Sequence, residues 1–117
     1  MDKRIYVCGP MTGLPKLNYP RFNEVAGKLR KQGFLVNNPA EIKGDETWTW
    51  EDYMREALKL MLECEIVLVL NGYEHSRGAM VEINLAKELG MKVVTEKGVL
   101  LNEGKKKMIR KGVACSA

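Results

Sequence analysis

The stretch from Cys64 to Thr95 constrains the fold of this chain most strongly. The unbroken, β-branched run Ile66–Leu70 is typical of a parallel strand that is buried on both faces. A polar turn follows at residues 71–78, and a second strand is predicted from Val93 onward. Between them, apolar residues recur at helical spacing up to Gly90, a candidate C-cap: Ala79, Ile83, Leu85, Ala86 and Leu89. The stretch therefore predicts a β-α-β unit around a central strand.

The rest of the chain repeats this alternation of strands and helices. We predict these elements in chain order: a strand at Arg4–Cys8, a helix from Asn18–Pro20 to Gly33, a strand at Phe34–Val36, a helix at Tyr53–Leu62 with Thr47 or Thr49 as its cap, and a strand at Lys92–Glu96. Short connections between such elements favour a parallel sheet with helices on both sides. The predicted fold class is α/β, a three-layer Rossmann-like or flavodoxin-like domain with a four- to five-stranded parallel sheet.

The pattern weakens after Glu96. Residues 99–101 are compatible with a further edge strand or with a turn into a short basic helix at 104–111. We therefore assign residues 1–96 to the α/β domain and residues 97–117 to a basic C-terminal extension, which is either part of the same domain or a tail.

Composition excludes several classes of protein. No apolar run approaches the roughly 20 residues of a membrane span, and the N-terminus leads directly into a strand, so we expect a cytoplasmic protein without membrane contact. Three distant cysteines and a single histidine, His75, argue against a disulfide framework and against a metal site. The formal charge of +4 comes largely from a lysine-rich cluster in residues 105–111. Such a run is usually a solvated face, so we do not expect nucleic acid as a partner.

Two predicted loops carry the candidate chemistry, because ligands bind beyond the carboxyl ends of strands in open α/β sheets. The first loop, Gly9–Gly13, contains two glycines that let backbone N–H groups approach a ligand, although a plain loop is the alternative. In the second, the Ser76 hydroxyl and the Gly78 N–H at a helix N-terminus predict a phosphate cradle. Glu82 lies one turn further along and could meet the sugar of a bound nucleotide, or could simply stabilise its helix.

Aromatic residues accompany these loops. Trp48 and Trp50 stand in a polar segment, where they could cover a base or a subunit interface, or pack onto the core. Together with Tyr73 they are candidates for a self-association surface or for stacking on a base.

Four motifs resemble the nucleoside 2-deoxyribosyltransferase superfamily, over roughly residues 4–95. They are Tyr6-Val-Cys-Gly-Pro-Met-Thr-Gly13, Asn37-Asn-Pro39, Trp50-Glu-Asp-Tyr-Met54 and Ser76-Arg-Gly-Ala-Met-Val-Glu82. The likeness is greatest to a small branch, common in phages and bacteria, that is described only as a domain of unknown function. In the superfamily a glutamate attacks the anomeric carbon of a nucleoside or nucleotide, and a base or water resolves the glycosyl-enzyme.

The resemblance implies roles for particular residues. It places Glu82 at the nucleophile position. It implies substrate contacts from the residues around the two loops: Tyr6, Gly9, Pro10, Met11, Gly13, Asn71, Ser76 and Gly78. It implies a nucleoside or nucleotide as the small-molecule partner, a homo-oligomer that is a dimer or larger, and no metal or organic cofactor.

One position departs from the superfamily pattern. An aspartate usually stands eight residues before the acidic residue that opens the third strand, and here that position holds Ala57. Asp52, Glu56 or a neighbouring subunit could supply the acid, or catalysis could be weak or absent.

Three functions are therefore open. The first is an enzyme that cleaves or transfers an N-glycosidic bond. The second is a non-catalytic nucleotide-binding module, which a phage could use as a sponge for a nucleotide signal. The third, an accessory protein that contacts nucleic acid through the lysine-rich segment, predicts affinity that collapses with rising salt.

Overall fold

A computed structural model describes residues 3–103 of the protein. This part of the chain contains three α-helices and five strands: β1 (Arg4–Cys8), α1 (Tyr19–Lys31), β2 (Leu35–Asn37), α2 (Trp50–Leu62), β3 (Ile66–Val69), α3 (Arg77–Glu88), β4 (Lys92–Thr95) and β5 (Leu100–Glu103). The predicted mixed α/β class is thus confirmed, with element boundaries that differ from the predictions by a few residues at most. None of these helices is long and apolar enough to cross a membrane.

The strands form one mostly parallel sheet in the order β2-β1-β3-β4-β5. The first four strands are mutually parallel, and β3, the strand predicted to be central, lies between β1 and β4. This order is compatible with a Rossmann-like fold.

The fifth strand corrects the prediction of an entirely parallel sheet. β5 pairs antiparallel with β4. A tight turn between them reverses the chain: the Thr95 N–H donates to the Val99 carbonyl at 2.9 Å, and Gly98 takes a positive φ of 85°. Of the two alternatives for residues 99–101, the edge strand is therefore correct. The alternative basic helix at 104–111 lies outside the described residues.

Two groups of buried side chains hold the sheet and helices together. Tyr6, Cys8, Val67 and Val69 pack with buried residues of α2 and α3, including Ile83. The alternate strand residue Val7 packs instead with α1 and β2, in a cluster that also contains Phe22, Val25, Ala26, Val36 and Leu70. Since successive side chains of a strand point to opposite faces, both faces of the central strands are covered by apolar groups.

The helix starts are fixed by local hydrogen bonds. Thr49 and Asp52 form a reciprocal capping box at α2, which begins at Trp50, three residues before the predicted start. Ser76 caps α3 by accepting the Ala79 N–H at 3.1 Å. Asn18 precedes α1 without capping it, because its side chain donates to the Pro10 carbonyl at 3.0 Å instead.

Candidate active site

A cavity lies beyond the carboxyl ends of β1 and β3, the two neighbouring central strands. The chain leaves β1 through α1 toward β2, whereas it leaves β3 through α3 toward β4, on the other side. Strand order thus reverses between β1 and β3, which is where open α/β sheets bind their ligands. The fold positions the cavity at this reversal.

The cavity has a volume of about 170 Å³ and a largely aromatic wall. Four aromatic side chains line it, two from the start of α1 and two from the start of α2: Tyr19, Phe22, Trp50 and Tyr53. The sulfur-containing residues Met11 and Met54 complete the apolar part. Aromatic and thioether groups of this kind suit the faces of a planar ring.

Glu82 is the carboxylate of this cavity. Its side chain is only 5% exposed, and the Tyr6 hydroxyl donates a hydrogen bond to Oε2 at 2.6 Å. Burial raises the pKa of Glu82 to about 7, against the opposing effect of hydrogen bonds from Tyr6 and Cys8. Near neutral pH the group therefore exists both as a carboxylate and as a neutral acid, which suits nucleophilic or acid-base chemistry.

Residues at the N-terminus of α3 line this cavity and also a second, larger one. The second cavity has a volume of about 670 Å³, and its wall includes Leu14, His75 and Arg77. Ser76 and Gly78 line both cavities, so the two adjoin at the helix N-terminus. The positive end of the helix dipole and the first N–H groups of α3 favour an anion at this point.

An arginine stacks on an aromatic ring at the same helix N-terminus. The Arg77 guanidinium lies 3.9 Å from the centroid of the Trp50 ring, within cation–π range. Trp50 and Met54 of α2 also approach Gly78 closely, since a Cβ at position 78 would stand 3.2 Å from the Met54 sulfur. Glycine at position 78 thus lets α2 and α3 pack closely at this point.

The structure brings most of the predicted site residues to these two cavities. Gly9, Met11, Ser76, Gly78 and Glu82 line the first cavity. Pro10 and Asn71 line the second, Tyr6 holds Glu82 from the buried core, and Gly13 lines neither.

Gly9 and Asn71 also stabilise the loops that follow β1 and β3. A Cβ at position 9 would stand 2.8 Å from Cβ of Leu70, so only glycine fits between the two strand ends. The Asn71 N–H donates to Glu96 at 2.7 Å, which ties the loop after β3 to the end of β4.

The two candidate acids lie away from the cavity. Asp52 completes the capping box of α2 and pairs with Arg55 at 3.4 Å, and Glu56 pairs with Lys59 at 3.0 Å on the surface. Ala57 is fully buried. Among residues 3–103, Glu82 is therefore the one carboxylate that lines the first cavity. The same residues contain no cluster of three His, Cys, Asp or Glu side chains that could hold a metal ion.

The aromatic wall is the part of the site that the motifs did not reveal. The sequence places Phe22 and Tyr53 in the apolar stripes of their helices and Tyr19 near a helix cap. A stripe that lines a cavity has the same spacing as one that fills a core, so spacing alone does not reveal the wall. Trp50 does line the cavity. Tyr53 and Met54 follow it at spacings of three and four residues, which places all three on one face of a helix, and this spacing was the available signal for the wall. Trp48 instead packs against Gly44, and Tyr73 packs against the core, so both are half-buried.

A comparison with protein families assigns the chain. A family model described as a domain of unknown function, DUF4406, matches residues 3–95. The chain belongs to the DUF4406 family. The DUF4406 match runs from β1 to the end of β4 and so includes every residue that lines the two cavities, whereas β5 lies beyond it. No curated protein matches the chain.

Proposed function

We propose that this DUF4406 protein binds a nucleoside or nucleotide and cleaves or transfers its N-glycosidic bond through Glu82. The observation that carries this proposal is a single buried carboxylate, held at 2.6 Å by the Tyr6 hydroxyl, in the wall of a cavity lined by aromatic residues. The motif resemblance to the nucleoside 2-deoxyribosyltransferase superfamily supports the same chemistry. A three-layer Rossmann-like arrangement, supported by the two core clusters, is part of the proposal.

The chemistry follows from the electrostatics of Glu82. Loss of the base leaves positive charge on the anomeric carbon, and a carboxylate stabilises that charge and then bonds to the carbon. The ionised fraction of Glu82 increases as the pH rises through about 7. The hydrogen bond from Tyr6 stabilises the carboxylate and orients one of its oxygens.

Each part of a nucleotide has a matching part of the cleft. The aromatic wall supplies stacking surfaces for the base. The N-terminus of α3, with Ser76 and Gly78, supplies donors and a positive dipole for a 5′-phosphate or a sugar hydroxyl. Glu82 lies one helical turn from Gly78 on the same helix, so the sugar would lie between these two groups.

A binding module without catalysis is the second candidate, and one observation favours it. Retaining glycosidases place a second carboxyl group about 5–5.5 Å from the nucleophile. Asp52 and Glu56 are both engaged outside the cavity, and Ala57 stands at the usual acid position. A protein of this design would hold a nucleotide or a nucleotide signal without releasing its base.

A chromatographic assay of free base separates the two candidates. Purified protein is incubated with deoxynucleosides, their 5′-monophosphates and NAD-like dinucleotides, and base release is compared with that of Glu82→Gln. We expect release by the wild type and a loss of at least about a hundredfold in the variant. Glu56→Gln is the matched control, because this helical glutamate pairs with Lys59 on the surface and should keep full activity.

The outcomes differ for the two functions. Equal release by wild type and Glu82→Gln would contradict Glu82 as the nucleophile. A panel member that raises the melting temperature without any base release would establish the binding module instead.

A further inference from the structure

Two phenol groups line the first cavity, and their hydroxyls have different surroundings. The Tyr53 hydroxyl donates to the Pro39 carbonyl at 3.0 Å and lies 3.3 Å from the Met11 sulfur. Tyr19 is half-buried, and its hydroxyl has no hydrogen-bond partner among residues 3–103. The Tyr53 hydroxyl is thus engaged with the protein, whereas no described residue occupies the Tyr19 hydroxyl.

The three residues immediately before Tyr19 have strained backbone conformations. Lys16, Leu17 and Asn18 all take positive φ angles, of 53°, 53° and 62°. Left-handed conformations are costly for residues with a Cβ and persist where the surroundings impose them, often at functional sites. Here the Asn18 side chain holds the turn by donating to the Pro10 carbonyl at 3.0 Å, and α1 begins at the next residue.

The composition of the cavity wall leaves few groups that could hydrogen-bond a bound base. The cavity wall includes the apolar side chains of Leu17, Phe22 and Met54, none of which can pair with a polar group on a base. Besides that of Tyr19, its hydroxyl groups are those of Thr12, Ser76 and Tyr53; Ser76 caps α3, and Tyr53 bonds to Pro39. A base edge that is buried without a hydrogen-bond partner loses much of its binding energy. A phenol can both donate and accept a hydrogen bond, so it can satisfy one edge group and disfavour another.

We infer that Tyr19 is a specificity residue whose hydroxyl hydrogen-bonds the base of the bound nucleoside or nucleotide. The inference rests on the proposed function of the cavity and adds the residue that selects among bases. It assigns Tyr53, by contrast, to support of the cavity wall.

Two matched variants test this assignment, since Tyr19→Phe and Tyr53→Phe each remove one hydroxyl from the same cavity. Dissociation constants are measured by calorimetry for the four deoxynucleosides and their 5′-monophosphates, and melting temperatures are measured without ligand. Where the wild type releases base, kcat/KM is compared in the same way.

We expect Tyr19→Phe to keep the ligand-free melting temperature, because its hydroxyl has no protein partner. Its dissociation constant for the preferred base should rise by about twofold to tenfold, the range for one hydrogen bond, and its preference for that base over the next should fall by a similar factor. Tyr53→Phe should melt at a lower temperature and keep the wild-type ranking of bases.

Each contrary result overturns the inference. Wild-type base preference in Tyr19→Phe would remove Tyr19 from base recognition. A lower melting temperature in Tyr19→Phe with an unchanged preference ratio would make its role structural. If the wild type binds no member of the panel, the proposed function fails and this inference fails with it; if the wild type binds but Tyr19→Phe behaves identically, only the inference fails.

Discussion

Replacing Glu82 by glutamine should change how the stability of the protein depends on pH. In the folded protein the pKa of Glu82 is about 7, raised by burial from an ordinary value of 4.5. The unfolded chain therefore loses this proton at a lower pH than the folded protein does. Stability contributed by the protonated group is fully present below about pH 4.5 and is lost as the pH rises through about 7.

The size of the effect follows from that pKa difference. One pKa unit corresponds to about 1.4 kcal/mol, so the free energy of unfolding should fall by about 3 kcal/mol over this interval. Small domains are stable by about 5–15 kcal/mol, which makes the change a large fraction of the total. Glutamine keeps the shape of the protonated side chain and does not titrate, so Glu82→Gln should lack this loss.

The measurement is urea unfolding, followed by circular dichroism between pH 4 and pH 8, for the wild type and Glu82→Gln. The difference between the two free energies isolates Glu82, since other titrating groups are common to both proteins. We expect the variant to gain about 3 kcal/mol relative to the wild type between pH 4.5 and pH 7.5.

Glu41→Gln is a control whose stability should depend on pH in the opposite direction. Glu41 accepts hydrogen bonds from the Arg30 guanidinium at 2.7 and 3.1 Å, and this partner lowers the pKa of Glu41. Its contribution is present above its unfolded pKa of 4.5 and is lost as the pH falls below that value. Extending the titration below pH 4 should therefore show a difference of opposite slope for Glu41→Gln. The difference in unfolding free energy between the wild type and Glu82→Gln could instead stay within about 0.5 kcal/mol across the range. That result would refute a raised pKa for Glu82 in the folded protein.

Other expectations concern packing, capping and the pH dependence of activity. Gly9→Ala should destabilise the protein by about 1–3 kcal/mol in urea unfolding, because its Cβ would stand 2.8 Å from Cβ of Leu70; an unchanged midpoint would show that the strand ends can separate. Thr49→Ala should cost about 1 kcal/mol through loss of the α2 cap, seen as a lower melting temperature, and a neutral effect would mean that the capping box is dispensable. Tyr6→Phe removes a hydrogen bond that lowers the pKa of Glu82, so the pH profile of stability should shift to higher pH, and a shift to lower pH would contradict this role. If the wild type releases base, its kcat/KM should rise with pH and level off above about 7, whereas a profile that falls over this range would exclude a carboxylate nucleophile.

Much of the fold could be predicted from the sequence because its signals are local. The unbroken apolar run at Ile66–Leu70 marked a buried strand, and the helical spacing after Gly78 marked α3. The direction of β5 could not be predicted in this way. It depends on the turn at Gly98 and on pairing with β4, and neither is encoded in the four residues of the strand itself.

The candidate site was predictable to the extent that chain neighbours remain neighbours in space. Ser76, Gly78 and Glu82 belong to one helix start, so their spacing alone placed them together. The aromatic wall comes from two other helices that converge only in the folded protein. Likewise, the sequence could not reveal that Asp52 is engaged as a helix cap, because a first-turn aspartate is equally suited to capping and to catalysis.

The central place of β1 has a consequence for the order in which the protein can assemble. β1 pairs with β3 only after about sixty further residues have been synthesised, as the hydrogen bond between the Arg4 N–H and Glu65, 61 positions apart, illustrates. The bond between Tyr6 and Glu82 spans 76 positions. Contacts of such long range close late and slow the folding of parallel sheets. A ribosome must therefore synthesise most of the domain before the Glu82 carboxyl group can pair with Tyr6, and a nascent chain that ends before residue 82 cannot form this part of the candidate site.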